Sequence, residues 1–383
     1  MTIPADPNRA IPYARQLIEE DDVAAVVEVL RGDWLTQGPH VDRFERALAE
    51  RVEAAYCVAF SSGTAALHAA AAAAGVGPGT RLATSPLSFV ASANCGRYLG
   101  AEVDFVDVHP VTLNLDETRV GPEVHALVAV HYAGLPVDLA RLPRRPAVVI
   151  EDAAHALGAA TPDGPVGNCA RSDLCTFSFH PVKSITTGEG GAVTTNSAEL
   201  AERLRRFRNH GIERRPERGG WVYEVTSLGY NLRLTDLQAA LGHSQLGKLD
   251  RFVARREELA GRYAELLEGL PVTLPAAAPP GWRHARHLYP VRLPAGARAA
   301  VFAAMRAAGI GVQVHYVPIY RHPLWAAAGP PERFGATEAA YAGLLSLPLH
   351  PGLTEAEQDR VVASLAEALA GAGVTQGSGR LAD

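Results

Sequence analysis

Leu174-Cys175-Thr176-Phe177-Ser178-Phe179-His180-Pro181-Val182-Lys183-Ser184-Ile185-Thr186-Thr187-Gly188-Glu189-Gly190-Gly191-Ala192-Val193-Thr194-Thr195 is the stretch that decides the fold. Leu174 to Phe179 reads as a short apolar strand and Ala192 to Thr195 as a second one, joined through a glycine-rich turn. Between them stands Lys183. A lysine in that position is partly shielded from water, which lowers the cost of losing its charge and makes the free amine a usable nucleophile. Such an amine is what a Schiff-base lysine for pyridoxal phosphate requires. The plain alternative is a solvated lysine at a strand end, and taken alone the segment favours it, because most lysines lie on the surface. The residues upstream reverse that balance.

Working towards the N-terminus, Tyr56 to Phe60, Arg81 to Ser85, Val103 to Asp107, Ala126 to His131 and Ala147 to Glu151 also read as strands. Continuous apolar strands separated by helical stretches predict an α/β fold with a mostly parallel sheet covered on both faces. In such sheets ligands sit at the carboxyl ends of the strands. Ser61 to Thr64, Pro86 to Phe89, Asp152 to His155 and Ser178 to Lys183 all fall there. Helical spacing marks Asp21 to Leu30 and Val41 to Ala55. Towards the C-terminus, Asp236 to Leu270 reads as a long helix broken or bent near Gly247, followed by a proline- and alanine-rich loop, Pro271 to Gly281. Beyond it Leu288 to Leu293 and Ile310 to Val314 read as strands, and Ala297 to Ala308 and Thr354 to Leu369 as helices. The expected division is a large domain over residues 11–245, a smaller one over 246–370 and a frayed tail over 371–383.

Composition bounds the function. The 383 residues carry a net charge of −5, which argues against non-specific nucleic-acid binding. The four cysteines, Cys57, Cys95, Cys169 and Cys175, include no Cys-x-x-Cys pair and read as reduced structural thiols. Met1 to Ala10 is polar and has no basic-then-apolar leader, and the alanine-rich run Ala65 to Val76 is too short and too weakly apolar to span a bilayer. A soluble cytoplasmic protein is expected.

The strand ends offer a set of candidate groups. Ser61-Ser62-Gly63-Thr64 opens a helix whose free N–H groups suit a phosphate, while Ser and Thr there also serve as plain caps. Asp152, after the apolar Val148-Val149-Ile150, suits a pyridine nitrogen or a simple helix cap. His155 follows three residues later and Phe89 offers a ring to stack on a flat ligand, though an isolated Phe is more often core. Asn231 lies in the turn Gly229-Tyr230-Asn231-Leu232-Arg233, as a cap or as a phosphate contact. The segment Arg203 to Arg218 holds seven arginines, mostly read as a solvated face, with one or two available to a diphosphate.

These elements, in this order, resemble a fold-type I, pyridoxal-phosphate-dependent enzyme, and more narrowly the DegT/StrS family of nucleotide-sugar aminotransferases. The matching stretches are Trp34 to Pro39, Ser62 to Leu67, Glu151 to His155, Ser178 to Gly191, Arg208 to Gly211, Gly229 to Gln238 and Gln313 to Pro318. Some of them, with Thr84 to Ala91 and His131 to Gly134, are most similar to the 4-aminotransferases of pseudaminic acid biosynthesis, although His131 stands where an aspartate is expected. The resemblance implies a large domain with a mostly parallel seven-stranded sheet plus a smaller C-terminal α+β domain. It also implies transamination from L-glutamate to a nucleotide-linked 4-keto-6-deoxy sugar. Lys183, Asp152 and His155 would be catalytic. Gly63, Thr64, Phe89, Asp152, His155, Ser178 and Lys183 would hold pyridoxal 5'-phosphate, with Asn231 reaching it from the neighbouring copy of a homodimer. Tyr13, Trp34, Leu35, Thr36, His315, Tyr316 and Tyr320 would meet the sugar nucleotide. No metal is expected.

Four rival readings stand beside this one. A dTDP- or GDP-linked sugar or a keto-cyclitol as acceptor keeps the chemistry. A dehydratase of the same fold would replace Lys183 by histidine, and a non-catalytic cofactor-binding regulator would be expected to lose Lys183 or Asp152; both residues are present. A metal site on His315 and His322 lacks a carboxylate at ligand spacing.

Overall fold

Ala126-Leu127-Val128-Ala129-Val130 is buried at every position, which is what a strand covered on both faces requires. It lies inside a seven-stranded sheet in the computed structural model, which describes residues 10–374. The strands are β1 (Tyr56–Phe60), β2 (Arg81–Thr84), β3 (Glu102–Phe105), β4 (Ala126–Val130), β5 (Val148–Asp152), β6 (Leu174–Ser178) and β7 (Gly191–Thr195). Their spatial order is β1-β7-β6-β5-β4-β2-β3. Neighbours from β3 through β6 pair in parallel, while β7 runs antiparallel to both β6 and β1. The sheet is thus mostly parallel, and the turn that carries Lys183 is the β6–β7 connection.

Helices cover the sheet on both sides: α1 (Glu20–Arg31), α2 (Pro39–Arg51), α3 (Gly63–Ala73), α4 (Ala91–Tyr98), α5 (Ala198–Arg208) and α6 (Asp236–Leu246). Alanines let α3 lie close against the strands, where Ala66, Ala69, Ala70 and Ala71 are fully buried with Val58, Leu82, Val128 and Ile150. On the other face Phe44 and Leu48 of α2 meet Phe177, Phe179 and Ala239. A β-hairpin, β8 (Ile212–Arg214) and β9 (Tyr223–Val225), follows α5.

Beyond α6 the chain breaks at Gly247 and Lys248, then continues as α7 (Leu249–Leu266). Of the two expected alternatives near Gly247, a break or a bend, the chain takes the break. From α7 onward a second core forms around the two-stranded sheet of β10 (Tyr289–Arg292) and β11 (Leu344–Leu347). Helices α8 (Arg298–Ala307), α9 (Gly335–Gly343) and α10 (Glu355–Gly371) accompany it, and Tyr263, Val291, Met305, Leu345 and Leu365 lie at its centre. Ile310 to Val314 does not form the expected strand. Ile310 pairs with Ile11 and Gln313 with Ser346, so the segment divides its hydrogen bonds between two partners and builds no ladder. Residue 371 still closes α10; the expected tail beyond residue 374 lies outside the described residues, as does the polar start before residue 10.

Candidate active site

The carboxyl ends of β1, β5 and β6 open on one cleft of about 430 Å3, a size suited to a small organic ligand. Tyr13, Gly63, Thr64, Phe89, Asp152, His155, Ser178, Lys183, His315 and Tyr316 are all in its wall, joined by Ser92, His180, Glu189 and His287. The chain crosses between distant segments to do this: the β6–β7 turn supplies Lys183, and the Val314 to Tyr316 stretch, after α8, supplies the opposite wall.

Lys183 is half-buried. Burial lowers its pKa to about 8, against an opposing pull from Asp152, so about a tenth of the amine is uncharged at pH 7, far more than for an ordinary lysine. Asp152 is buried and fixed at both oxygens: Ser92 Oγ donates to Oδ2 at 2.7 Å and the Ala154 N–H reaches Oδ1 at 3.2 Å.

His155 and Tyr316 form a pair at 3.0 Å between Nε2 and the phenol oxygen. Burial, with Tyr132, Asp152 and Tyr13 nearby, pushes the phenol well above its usual range, and burial, with Lys183 and two histidines, holds His155 well below its own. Both are then neutral at pH 7. The phenol donates, Nε2 accepts, and Nδ1 carries the ring hydrogen. That Nδ1 is buried and has no partner among the described residues, which leaves one donor for a ligand. His287 lies against the His155 ring, with centroids 4.3 Å apart. The Tyr132 hydroxyl donates to the His315 carbonyl at 2.6 Å, steadying the loop that carries Tyr316. Burial, then Lys183, takes His315 down to about 4.

The phosphate cradle is shaped by a missing side chain. Gly63 is the first residue of α3, and a Cβ built on it would come within 2.8 Å of Ser178 Cβ. Any larger residue would fill the space between the helix N-terminus and Ser178. Ser62 caps the helix by accepting from the Ala65 N–H, and the orphan N–H groups of the first turn suit an anion.

Other expected residues lie elsewhere. Trp34, Leu35 and Thr36 are exposed and sit outside the lysine cleft; Thr36 bridges to Thr235, and the Leu35 carbonyl accepts from the Asp236 N–H. Asn231 is exposed and pairs with Asn209, beside a second cleft of about 750 Å3 walled by Gln37, Arg206, Asn209, Arg214 and Arg233. Six of the seven arginines between 203 and 218 are ion-paired with glutamates, in keeping with a solvated face; Arg214 has no carboxylate partner among the described residues. Tyr320 is not brought to the cleft. It is 3% exposed, stacks on Phe334 at 4.4 Å and donates to Glu338 at 2.7 Å, so its polar tip is consumed in a structural cluster. Ser92, Tyr132 and His287 carry no local motif. Tyr132 falls inside the His131 to Gly134 stretch, but neither it nor the other two is singled out by the sequence, because their roles arise from contacts across long sequence separations.

No group of three or more His, Cys, Asp or Glu side chains suited to a metal ion occurs among the described residues, nor is any helix there long and apolar enough to cross a membrane.

Comparison with known proteins gives a consistent result. The model of the DegT/DnrJ/EryC1/StrS aminotransferase family matches residues 16–366. The chain is 37% identical to the spore coat polysaccharide biosynthesis protein SpsC of Bacillus subtilis, over 95% of this chain and 98% of that one. Among solved structures it is similar to Helicobacter pylori PseC, an aminotransferase involved in the biosynthesis of pseudoaminic acid. The identity is 30% and the TM-score 0.87, covering 95% of this chain and 100% of that chain. It is also similar to Streptococcus pneumoniae Spr1654 in its PMP-form, with 26% identity and a TM-score of 0.89 over 94% and 100% of the two chains.

Proposed function

The chain belongs to the DegT/DnrJ/EryC1/StrS aminotransferase family, and we propose that it moves an amino group from L-glutamate to a nucleotide-linked 4-keto-6-deoxy sugar. The product we favour is the UDP-4-amino-4,6-dideoxy-N-acetyl-β-L-altrosamine of the pseudaminic acid route. The observation that carries the reading is the half-buried, pKa-lowered amine of Lys183 in one cleft with Asp152 and a helix N-terminus. The likeness to PseC supports this acceptor, with dTDP- or GDP-linked sugars and keto-cyclitols as the alternatives.

The cleft suits pyridoxal 5'-phosphate. Gly63 leaves a cradle that a side chain would fill, and the His155 Nδ1 donor is unspent. Gly63, Thr64 and Ser178 would hold the phosphate, Asp152 the ring nitrogen, and Phe89 and His155 the ring. When bound, the cofactor supplies an electrophilic carbon and a ring that accepts an electron pair. Lys183, free as the amine near its pKa of about 8, takes and returns the proton at the reacting carbon. Asp152, clamped by Ser92 and Ala154, keeps the ring nitrogen's proton in place. Tyr316 fixes the His155 ring, so that its donor faces a constant direction. Tyr13, His315 and Tyr316 form the wall where the sugar would lie.

Asn231, Trp34, Leu35 and Thr36 lie off their own chain's lysine cleft. This supports a homodimer in which one copy completes the site of the other, as does the exposure of Trp221 at 85% and Leu228 at 92%. Mixed dimers of Lys183→Ala with Asn231→Ala should recover activity above either parent; no recovery would place each site within one chain.

The acceptor is tested by single-turnover mixing of the aminated enzyme with a panel of nucleotide-linked 4-keto sugars. Return of the visible absorbance of the lysine-bound cofactor with the UDP-N-acetyl sugar supports the proposal. Return only with dTDP or GDP sugars, or with a keto-cyclitol, would keep transamination and discard this acceptor.

A further inference from the structure

Arg256, on α7, is 1% exposed and has no carboxylate partner among the described residues. A buried unpaired cation is costly, and burial pulls even this guanidinium down to about 10. What it touches is backbone. Nη2 donates to the Lys183 carbonyl at 3.2 Å, and Nη1 reaches the Leu349 carbonyl at 3.3 Å and that of His287 at 3.5 Å. The Lys183 N–H is already closed onto the His180 carbonyl at 2.9 Å. One guanidinium therefore grips the lysine turn from the side opposite His180. It ties that turn to His287, whose ring lies against His155, and to the segment after β11.

Among the described residues several buried polar atoms near this grip have no partner, on His287 and His350 as well as Arg256 Nε and Ser184 Oγ. Arg256 and Ser184 line one cavity of about 10 Å3, together with Lys183, Gln245 and Phe252. That is about the room one water molecule needs, and their two orphan atoms are a donor and a hydroxyl that it can bridge.

We propose that Arg256 is a positioning residue for Lys183, and that a single buried water linking its Nε to the Ser184 hydroxyl completes the grip. The proposal rests on Lys183 being the working amine. The charged and titratable groups facing this region are Asp152, His155, His287 and His315 around the lysine, and His287, His350 and Arg15 around the guanidinium.

The test uses cofactor-free protein, so it stands apart from the sugar panel. Trace acetic anhydride labelling is followed against pH, and the modified Lys183 and Lys248 peptides are quantified by mass spectrometry. Wild-type Lys183 should show a midpoint near 8. In Arg256→Met the lysine turn loosens into water, and the midpoint should rise by about one unit. Lys183 labelling at pH 7 then falls about tenfold, while Lys248 is unchanged. An unmoved midpoint in the folded variant would overturn the proposal. So would full recovery in Arg256→Lys, because charge alone, without the fork, would then suffice. Ser184→Ala, which removes one hydroxyl, carries the test where Arg256→Met fails to fold. Its expected result is a two- to threefold drop in Lys183 labelling at pH 7, and no change overturns the grip.

Discussion

This chain has two lysines, Lys183 and Lys248, and the fold treats them in opposite ways. Lys248 stands in the break between α6 and α7, where its ammonium meets Asp21 at 2.6 Å and Asp22 at 2.7 Å. Burial works against its charge, but the hydrogen bonds from those two carboxylates outweigh it and raise the pKa. Lys183 is also shielded, but the pull of Asp152 is smaller than the cost of burial, and burial wins. Removal from water sets the cost in both places. The number of carboxylates within reach decides whether the result is an anchor or a reactive amine.

The comparison breaks most visibly if the two lysines prove exchangeable in effect. Lys183→Ala should cut glutamate-dependent amination by at least about 10^3-fold, whereas Lys248→Ala should stay within about threefold of wild type in the same assay. Urea unfolding should report the converse. Lys248→Ala leaves Asp22, fully buried, without its cation and should cost about 2–3 kcal/mol.

A pH series sharpens it. Below about pH 8 the Lys183 amine is charged in folded and unfolded chains, so the cost of holding that charge in the cleft is fully present. Between about 8 and the ordinary 10.5 the unfolded chain binds more protons, and stability recovers as pH rises. Lys183→Met in cofactor-free protein should therefore be more stable than wild type by about 1–2 kcal/mol at pH 7, an advantage that shrinks towards pH 10. A pH-independent difference would mean that the amine is not desolvated.

The smallest expected effect concerns the neutral surroundings. Tyr316→Phe removes the donor to His155 Nε2 and should lower kcat by about fivefold, the worth of one such hydrogen bond. An unaltered pH–rate profile and kcat would show that the His155 tautomer needs no fixing.

Most strands of the large sheet were legible as short apolar runs, β3 (Glu102–Phe105) being the alternating exception, and the strands end within a residue or two of the expected positions. Their order was not, since pairing β7 antiparallel between β1 and β6 is a long-range choice that leaves no local mark. Gly247 marked the helix break, but not whether the chain would bend there or end one helix and start another. Ile310 to Val314 has strand composition but no single neighbour to pair with. The strand-end residues Gly63, Asp152, His155 and Lys183 could be found because each sits inside a short contiguous motif. Tyr316 was legible as a cleft residue, but its hydroxyl's partner, 161 positions away, was not. Tyr320 shows the reverse error: a tyrosine in a promising loop, drawn into an aromatic cluster by Phe105, Trp325 and Phe334.

The most direct measurement is borohydride reduction of the cofactor-loaded enzyme followed by peptide mapping, which marks whichever lysine holds the cofactor. The account predicts the pyridoxyl group on Lys183 and none on Lys248. Label on Lys248, or on neither lysine, would contradict it.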